Sequence, residues 1–317
     1  MAISVFCFEW ELMLIEWLQT HISSGAINII SFFSLFGEEK MMVLILGFLY
    51  WSFDKRLGKF VGLNMLVANL WNPLIKNIVH RARPYYNNDR VKLLRKIDSS
   101  ADETDIAAQG FSFPSGHSAS AVTVYGSIAL YLKKNWLRIL AIVLPLLVGF
   151  SRVVVGAHFP TDVFAGWILG LLILIVIPIL EKKINNHWLF YGLLLATGIP
   201  GFFYCQSTDF YTAYGMLFGF AFAVWFEEKF VNFENTRNPI RMILRVLGGG
   251  AAYFALNTLL KLPFPSEFLA SATTGAFVIR TIRYAIVMFF VMAIYPILFK
   301  WTAKIGKGKK KDLNGNA

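Results

Sequence analysis

Two stretches settle the solvent in which this chain folds. Val163–Leu180 runs 18 residues without a charge, and Phe210–Phe226 runs 17. A charge-free run of about 18 residues is what a helix needs to cross the hydrocarbon of a bilayer. The whole chain agrees: of 317 residues, 56% are hydrophobic and only 15% are charged. Soluble domains carry roughly a quarter charged residues. Alternating patterns of the kind that build transmembrane barrels are absent. The expected fold is all-α, a polytopic transmembrane helical bundle.

Nine spans fit the pattern, at about 38–54, 58–78, 117–133, 137–154, 161–181, 187–205, 209–227, 241–260 and 277–300. The first is interrupted by the charges of SLFGEEKMM, and Ala26–Phe36 offers an alternative short span or half-buried helix. The expected organisation is an N-terminal interfacial segment over 1–37, a five-span core over 38–185, a four-span extension over 186–300 and a polybasic tail over 301–317. The N-terminus lacks a basic n-region and carries Glu9 and Glu11, which argues against a cleaved secretory signal. Trp10 and Trp17 suit the headgroup layer. Cys7 and Cys205 are isolated in apolar surroundings and read as two buried free thiols.

The net charge of +11 does not point to nucleic acid, because six of the positive charges fall in Lys300–Lys311. Such a tail sets topology and touches anionic headgroups. The connecting loops alternate in charge. One set holds Lys55, Arg56 and Lys59, then Lys133, Lys134 and Arg138, then Lys182 and Lys183, then Lys229 and Arg237. By the positive-inside rule this set and the C-terminus are cytoplasmic, and nine spans place the N-terminus outside. Loop 79–116 breaks the rule. It opens on VHRARP and carries Arg90, Lys92, Arg95 and Lys96 among several acidic residues, on the side that should be poor in cations. Cations placed against the topological bias call for a functional explanation.

With these spans, three polar clusters share one face. The first is KNIVHRARP, with Lys76 and Arg83; the second is PSGH, Pro114 to His117; the third is SRVVVGAHFPTD, with Ser151, Arg152, His158 and Asp162. Three cations suit a phosphate, and Arg presents a planar fork to its oxygens. A helix starting at Gly116 would aim free N–H groups at an anion. Asp162 lies four residues after His158, the arrangement in which a carboxylate orients an imidazole as base or nucleophile. Each cluster alone reads as a snorkelling cation or a capped turn; together they read as a site.

The pattern Lys-x6-Arg-Pro, then Pro-Ser-Gly-His, then Ser-Arg-x5-His-x3-Asp resembles the signature of the type 2 phosphatidic acid phosphatase superfamily, over about residues 58–181. The resemblance implies that His158 attacks phosphorus to give a phosphohistidine, with Asp162 orienting it. It implies that His117 protonates the leaving alkoxide, and that Lys76, Arg83, Ser115, Gly116 and Arg152 hold the phosphoryl oxygens. It implies metal-independent chemistry with no cofactor. The expected substrate is a lipid phosphomonoester or pyrophosphate, such as phosphatidate, phosphatidylglycerophosphate, a polyprenyl pyrophosphate or a sphingoid phosphate, handled at the extracytoplasmic face of a bacterial plasma membrane. RPYY, AHFPTDVFAGW and the span count are loosely similar to the glucose-6-phosphatase branch. A soluble sugar phosphate, transfer to an acceptor, and transport of a lipid or solute are the competing readings. Outside the motifs, Gly248–Gly250 are expected to permit close helix packing. Arg245 lies inside an apolar span, and Arg280 and Arg283 are expected to snorkel or pair with residues such as Glu267.

Overall fold

A computed structural model describes residues 7–86, 88–95 and 109–302. The basic tail beyond Thr302 and the acidic stretch of the long loop, Asp98 to Asp105, lie outside the described residues. Among the described residues the fold is helical and contains no sheet. The main helices are α1 (Glu9–His21), α2 (Ser24–Phe32), α3 (Glu39–Phe48), α4 (Lys55–Val79), α5 (Gly116–Leu132) and α6 (Asn135–Val154). They continue as α7 (Pro160–Lys183), α8 (His187–Gly198), α9 (Thr208–Phe226), α10 (Pro239–Leu259) and α11 (Thr274–Phe289).

Each expected span falls on a helix or a run of helical segments. Four segments are long and apolar enough to cross a membrane by length and composition: Asn135–Val154, Pro160–Lys183, Pro239–Leu259 and Thr274–Trp301. Helix α4 is long but polar, since it carries Asn64, Asn69, Asn72 and Asn77 along its length. Helix α2 continues as a 3-10 turn to Gly37, so Ser24–Gly37 forms a short apolar helical unit of its own.

Local chemistry sets the helix ends near the three motifs. Helix α4 starts where the Asp54 carboxylate accepts the N–H groups of Arg56 and Leu57, and it stops at His80, which has φ 51°. Helix α5 starts at Ser115, whose hydroxyl caps the Ser118 N–H. Helix α7 starts with Pro160 in the first turn, where the missing N–H costs nothing, and Asp162 reaches back to the Phe159 N–H at 2.8 Å. Between α6 and α7 the chain reverses through Gly156 at φ 74°, and a Cβ there would lie 2.4 Å from the Lys92 carbonyl oxygen. Only glycine combines that conformation with that approach.

These boundaries place the C-terminal ends of α4 and α6 beside the N-terminal ends of α5 and α7. The extension joins the same bundle. Helix α9 packs on α4 and most closely on α11, where Cβ atoms at Gly215 and Gly219 would stand 2.3 Å from the Thr281 and Ala285 carbonyl oxygens. Small residues one turn apart permit this backbone approach between membrane helices.

The opposite end is tied by polar bonds between core and extension. Lys55 pairs with Glu227 at 2.9 Å and Lys59 with Glu228. Tyr50 and Trp51 donate to the carbonyls of Met292 and Val291, each at 3.0 Å. Arg245 belongs to this joint: it donates to the carbonyls of Trp51 and Glu234, both at 2.8 Å, and stacks on Phe299. Gly248 and Gly249 face Tyr295 and the Trp51 ring at distances no side chain would permit, while Gly250 faces open space.

Helix α1 leaves Trp10 and Trp17 exposed and lays Leu12, Ile15 and Leu18 against Val153, Val154, Phe159 and Val163. It therefore covers the turn that carries the third motif. Cys205 is buried, as expected, but Cys7, which precedes helix α1, is exposed.

Candidate active site

The three motifs converge on one cavity of about 890 Å³, lined by Lys76, Arg83, Gly116, His117, Arg152 and His158. Each arrives on a helix end. Lys76 is in the last turn of α4, Gly116 and His117 open α5, and Arg152 closes α6. Arg83 and His158 sit in the connections just beyond.

Arg83 is buried and fixed by backbone acceptors. Its guanidinium donates to the carbonyls of Gln109, Gly110 and Ala157 at 2.6 to 3.1 Å. Its Nη1 also stands 3.3 Å from His158 Nε2. Arg152, only 2% exposed, is held differently. One Nη1 contact reaches the Ser34 hydroxyl at 3.5 Å, while Nε and Nη2 have no hydrogen-bond partner among the described residues. Buried donors are almost always satisfied, so a guanidinium with two unpartnered nitrogens in the wall of a cavity suits an anion.

His158 lies 2% exposed, with its backbone N–H bonded to the Arg152 carbonyl at 3.2 Å. Its Nδ1 faces Asp162 Oδ2 at 3.6 Å, beyond a hydrogen bond, and the Ser112 hydroxyl at 3.5 Å. Ser112 in turn donates a short hydrogen bond to Asp162 Oδ2. The serine thus stands between the imidazole and the carboxylate. Burial, reinforced by the charges of Arg83, Arg152 and Lys76, holds the imidazole well below its ordinary pKa, so the ring is neutral at physiological pH.

Asp162 is anchored from three sides. It accepts from Ser112 and the Phe159 N–H through Oδ2, and from Arg81 Nη1 at 2.6 Å through Oδ1. Arg81 Nη2 pairs with Glu11 of α1, also at 2.6 Å, and its plane lies over the Phe159 ring. Glu11 closes the arrangement by accepting the Thr161 N–H and hydroxyl at 3.1 and 2.6 Å. A carboxylate–guanidinium–carboxylate chain therefore links the N-terminal helix to the start of α7.

The remaining members of the expected set have distinct places. His117 lines the cavity, and Gly37 packs so closely on it that a Cβ there would lie 3.1 Å from the His117 Cβ. The Ser115 hydroxyl is fully buried and engaged within the helix start, accepting from the Ser118 N–H and hydroxyl at 3.4 and 2.9 Å. It does not line the cavity. Ser151 bonds to Ser34 at 2.5 Å behind Arg152. Arg280 and Arg283 do not line the cavity; Arg283 is buried beside the Tyr284 ring.

Several residues in or around the site were not singled out by sequence reasoning. Ser112 sits inside the polar FSFPSGHSAS stretch, and Arg81 is two residues before Arg83 in HRARP, so both had a local signal. Glu11, Ser34, Asp209 and Thr212 come from distant segments and had none; Asp209 and Thr212 line the cavity from the extension.

Residues 58–185 match the family model described as PAP2 superfamily. Residues 211–307 match the one described as PAP2 superfamily phosphatase, transmembrane extension. Phosphatidylglycerophosphatase B of Bacillus subtilis is 36% identical over 138 residues, covering 39% of this chain and 60% of that protein. Undecaprenyl-diphosphatase of Sulfolobus acidocaldarius is 30% identical over 141 residues, covering 44% of this chain and 63% of that protein. The chain thus spans 60–63% of the length of these two relatives. A crystal structure of a transmembrane PAP2 type phosphatidylglycerolphosphate phosphatase from Bacillus subtilis aligns with 55% of this chain and 86% of its own, at 27% identity and TM-score 0.44. The two matched segments take in the greater part of the chain, which belongs to the PAP2 superfamily.

Proposed function

We propose that this member of the PAP2 superfamily is an integral membrane phosphatase that hydrolyses a lipid phosphomonoester or pyrophosphate through a phosphohistidine on His158. The observation that carries the reading is Arg152, buried with Nε and Nη2 unpartnered among the described residues, in the wall of a cavity that Lys76, Arg83, His117 and His158 also line. A phosphoryl group there satisfies those donors and sits beside the Nε2 face of His158. The names of the relatives, which act on phosphatidylglycerophosphate and undecaprenyl diphosphate, support a lipid substrate.

The steps follow from the groups present. The neutral imidazole, with Nδ1 turned toward Ser112 and Asp162, offers the Nε2 lone pair to phosphorus. The bond from phosphorus to the lipid oxygen breaks, and His117 delivers the proton that the departing alkoxide or phosphate needs. Lys76, Arg83, Arg152 and the Gly116 N–H stabilise charge on the equatorial oxygens. Water then attacks the phosphohistidine, losing its proton to His117 and releasing inorganic phosphate. Ser115 supports this by fixing the start of α5.

The side of the membrane is part of the proposal. The basic loops that begin and end the helices lie at the end away from the cavity, so with nine spans the positive-inside rule supports an extracytoplasmic site and a cytoplasmic C-terminus.

The test is phosphate release by the purified full chain in EDTA from phosphatidylglycerophosphate, phosphatidate, a polyprenyl pyrophosphate and glucose 6-phosphate. Release from a lipid, abolished by His158→Ala, is expected. Release from glucose 6-phosphate alone transfers the reading to a soluble sugar phosphate. Phosphate appearing on an added alcohol instead of in solution makes the protein a transferase. No turnover of any substrate by wild type overturns the enzyme reading.

A further inference from the structure

A charge within a membrane bundle needs water or a counter-charge. The extension carries three cations that have no counter-charge bonded to them. Arg280 and Arg283 stand one turn apart in α11, about 9 and 14 Å along the helix from Thr274. Lys261 lies in the loop that leads from α10 to α11. The three act on one another: burial and then the charges of Arg283 and Arg280 hold the Lys261 ammonium below its ordinary pKa. Among the described residues none of the three makes a side-chain hydrogen bond or an ion pair, and Glu267, the expected partner, is exposed. A snorkelling cation keeps its head in water, but Arg283 is only 4% exposed, and its Nε is buried without a partner. The carboxylate whose charge reaches Arg280 is Asp209, which opens α9 and lines the phosphate cavity with Lys76. The cluster therefore lies at the same end of the bundle as that cavity.

We infer that Lys261, Arg280 and Arg283 bind the anionic headgroup of a membrane phospholipid. The site is separate from the phosphate cavity, which none of the three lines, and the inference stands whether or not the protein is a phosphatase. Two observations favour a phospholipid over a free anion. The first is charge: three cations share the single carboxylate of Asp209, so an anion brought from outside supplies what the fold omits, and the guanidinium fork suits phosphate oxygens. The second is the surface beside them. The chain between Lys261 and Arg280 forms an open groove of about 630 Å³, lined chiefly by Phe264, Pro265, Phe268, Val278 and Ile279. A free phosphate ester gains nothing from such a surface, whereas a phospholipid brings apolar chains next to its charge. Basic pockets between membrane helices hold anionic headgroups for this reason. The ligand class is a phospholipid of net negative charge in the leaflet on which the phosphate cavity lies, such as phosphatidylglycerol. Phosphatidylcholine, whose own ammonium already compensates its phosphate, is the wrong class.

The test reads the thermal midpoint of the purified full chain in uncharged micelles that carry dioleoyl phosphatidylglycerol or, in parallel, dioleoyl phosphatidylcholine. Phosphatidylglycerol is expected to raise the wild-type midpoint by about 3 °C more than phosphatidylcholine does. Arg280→Gln and Arg283→Gln should remove that difference, and Lys261→Gln, at an exposed loop position, should reduce it by about half. Arg152→Lys, in the phosphate cavity, should keep it. Where Arg283→Gln fails to fold, Arg280→Gln and Lys261→Gln decide alone. Equal wild-type midpoints in the two lipids overturn the inference, as does a difference that survives both Arg280→Gln and Lys261→Gln. A difference that Arg152→Lys removes overturns it too, because the lipid then sits in the phosphate cavity. Glycerol 3-phosphate that protects the wild type as well as phosphatidylglycerol overturns the lipid, since the cations then take a free phosphate ester.

Discussion

Arg81 and Asp162 form a buried pair, Nη1 to Oδ1 at 2.6 Å, and the free end of the same guanidinium is taken by Glu11. The pair fixes the carboxylate that stands behind His158. It also makes the N-terminal helix part of the site, since Glu11 ties α1 to Arg81 through charge. Removing one member of a buried ion pair leaves a charge uncompensated and costs about 3–5 kcal/mol. Arg81→Ala is therefore expected to lower the thermal midpoint sharply and to reduce kcat even where the protein remains folded. Glu11→Gln keeps the shape and one acceptor, so its expected loss is smaller on both measures. Unchanged kcat in folded Arg81→Ala would separate the pair from catalysis.

Ser112 bridges the gap between His158 Nδ1 and Asp162 Oδ2, which are 3.6 Å apart. Ser112→Ala leaves Asp162 with Arg81 and the Phe159 N–H but removes the hydroxyl between imidazole and carboxylate. The expected result is a fall in kcat of about tenfold or more with KM within about twofold, the signature of a positioning group and not of a binding group. Ser112→Thr should restore part of the rate.

Among the described residues Arg152 donates to nothing through Nε and Nη2. An anion that satisfies both should stabilise the fold by mass action. Inorganic phosphate or vanadate is expected to raise the thermal midpoint of the wild type. Arg152→Lys should abolish most of that rise, because a lysine cannot reproduce the fork.

The imidazole of His158 has its pKa lowered from the ordinary 6.5 by burial and by the Arg83, Arg152 and Lys76 charges. The sign is fixed by which state takes the proton first. Below about 6.5 the unfolded chain binds a proton that the folded chain refuses, so stability present at neutral pH is lost as pH falls toward the folded value. The same shift keeps the nucleophile neutral, placing the acid limb of kcat/KM below pH 6.5. An acid limb at or above 6.5 would contradict the assignment.

Arg283 offers a control. It is buried beside Tyr284 and away from the phosphate cavity. Arg283→Ala is expected to lower stability with KM for a short-chain phosphate lipid unchanged.

Much of this site was legible in the sequence, for a physical reason. Lys76, Arg83, His117, Arg152 and His158 bear chemistry that an apolar chain does not keep without use, and the span count brings their helix ends to one face. The charge-free runs at Val163–Leu180 and Phe210–Phe226 marked helices α7 and α9 for the same reason. What stayed hidden depends on long-range partners. Nothing local in Glu11 says that it meets Arg81 across 70 residues, and the headgroup-layer reading of α1 rested on Trp10 and Trp17, which are its exposed face. Ser115 has the residue type of a phosphate ligand, but the need of α5 for an N-cap engages its hydroxyl. The extension carries no phosphatase motif, so its contribution of Asp209 and Thr212 to the cavity is a matter of packing that no motif encodes.

The central claim is a covalent one and is best tested by trapping. During turnover of a phosphate-labelled lipid, rapid quenching in base followed by denaturing separation should show label on the protein, stable in base and released by acid, as a phosphorus–nitrogen bond requires. The label should be present in wild type, absent in His158→Ala, and accumulate in His117→Ala with a poor leaving group only to a small extent. Label on His158→Ala equal to wild type, or none on wild type while phosphate is being released, would contradict the phosphohistidine at His158.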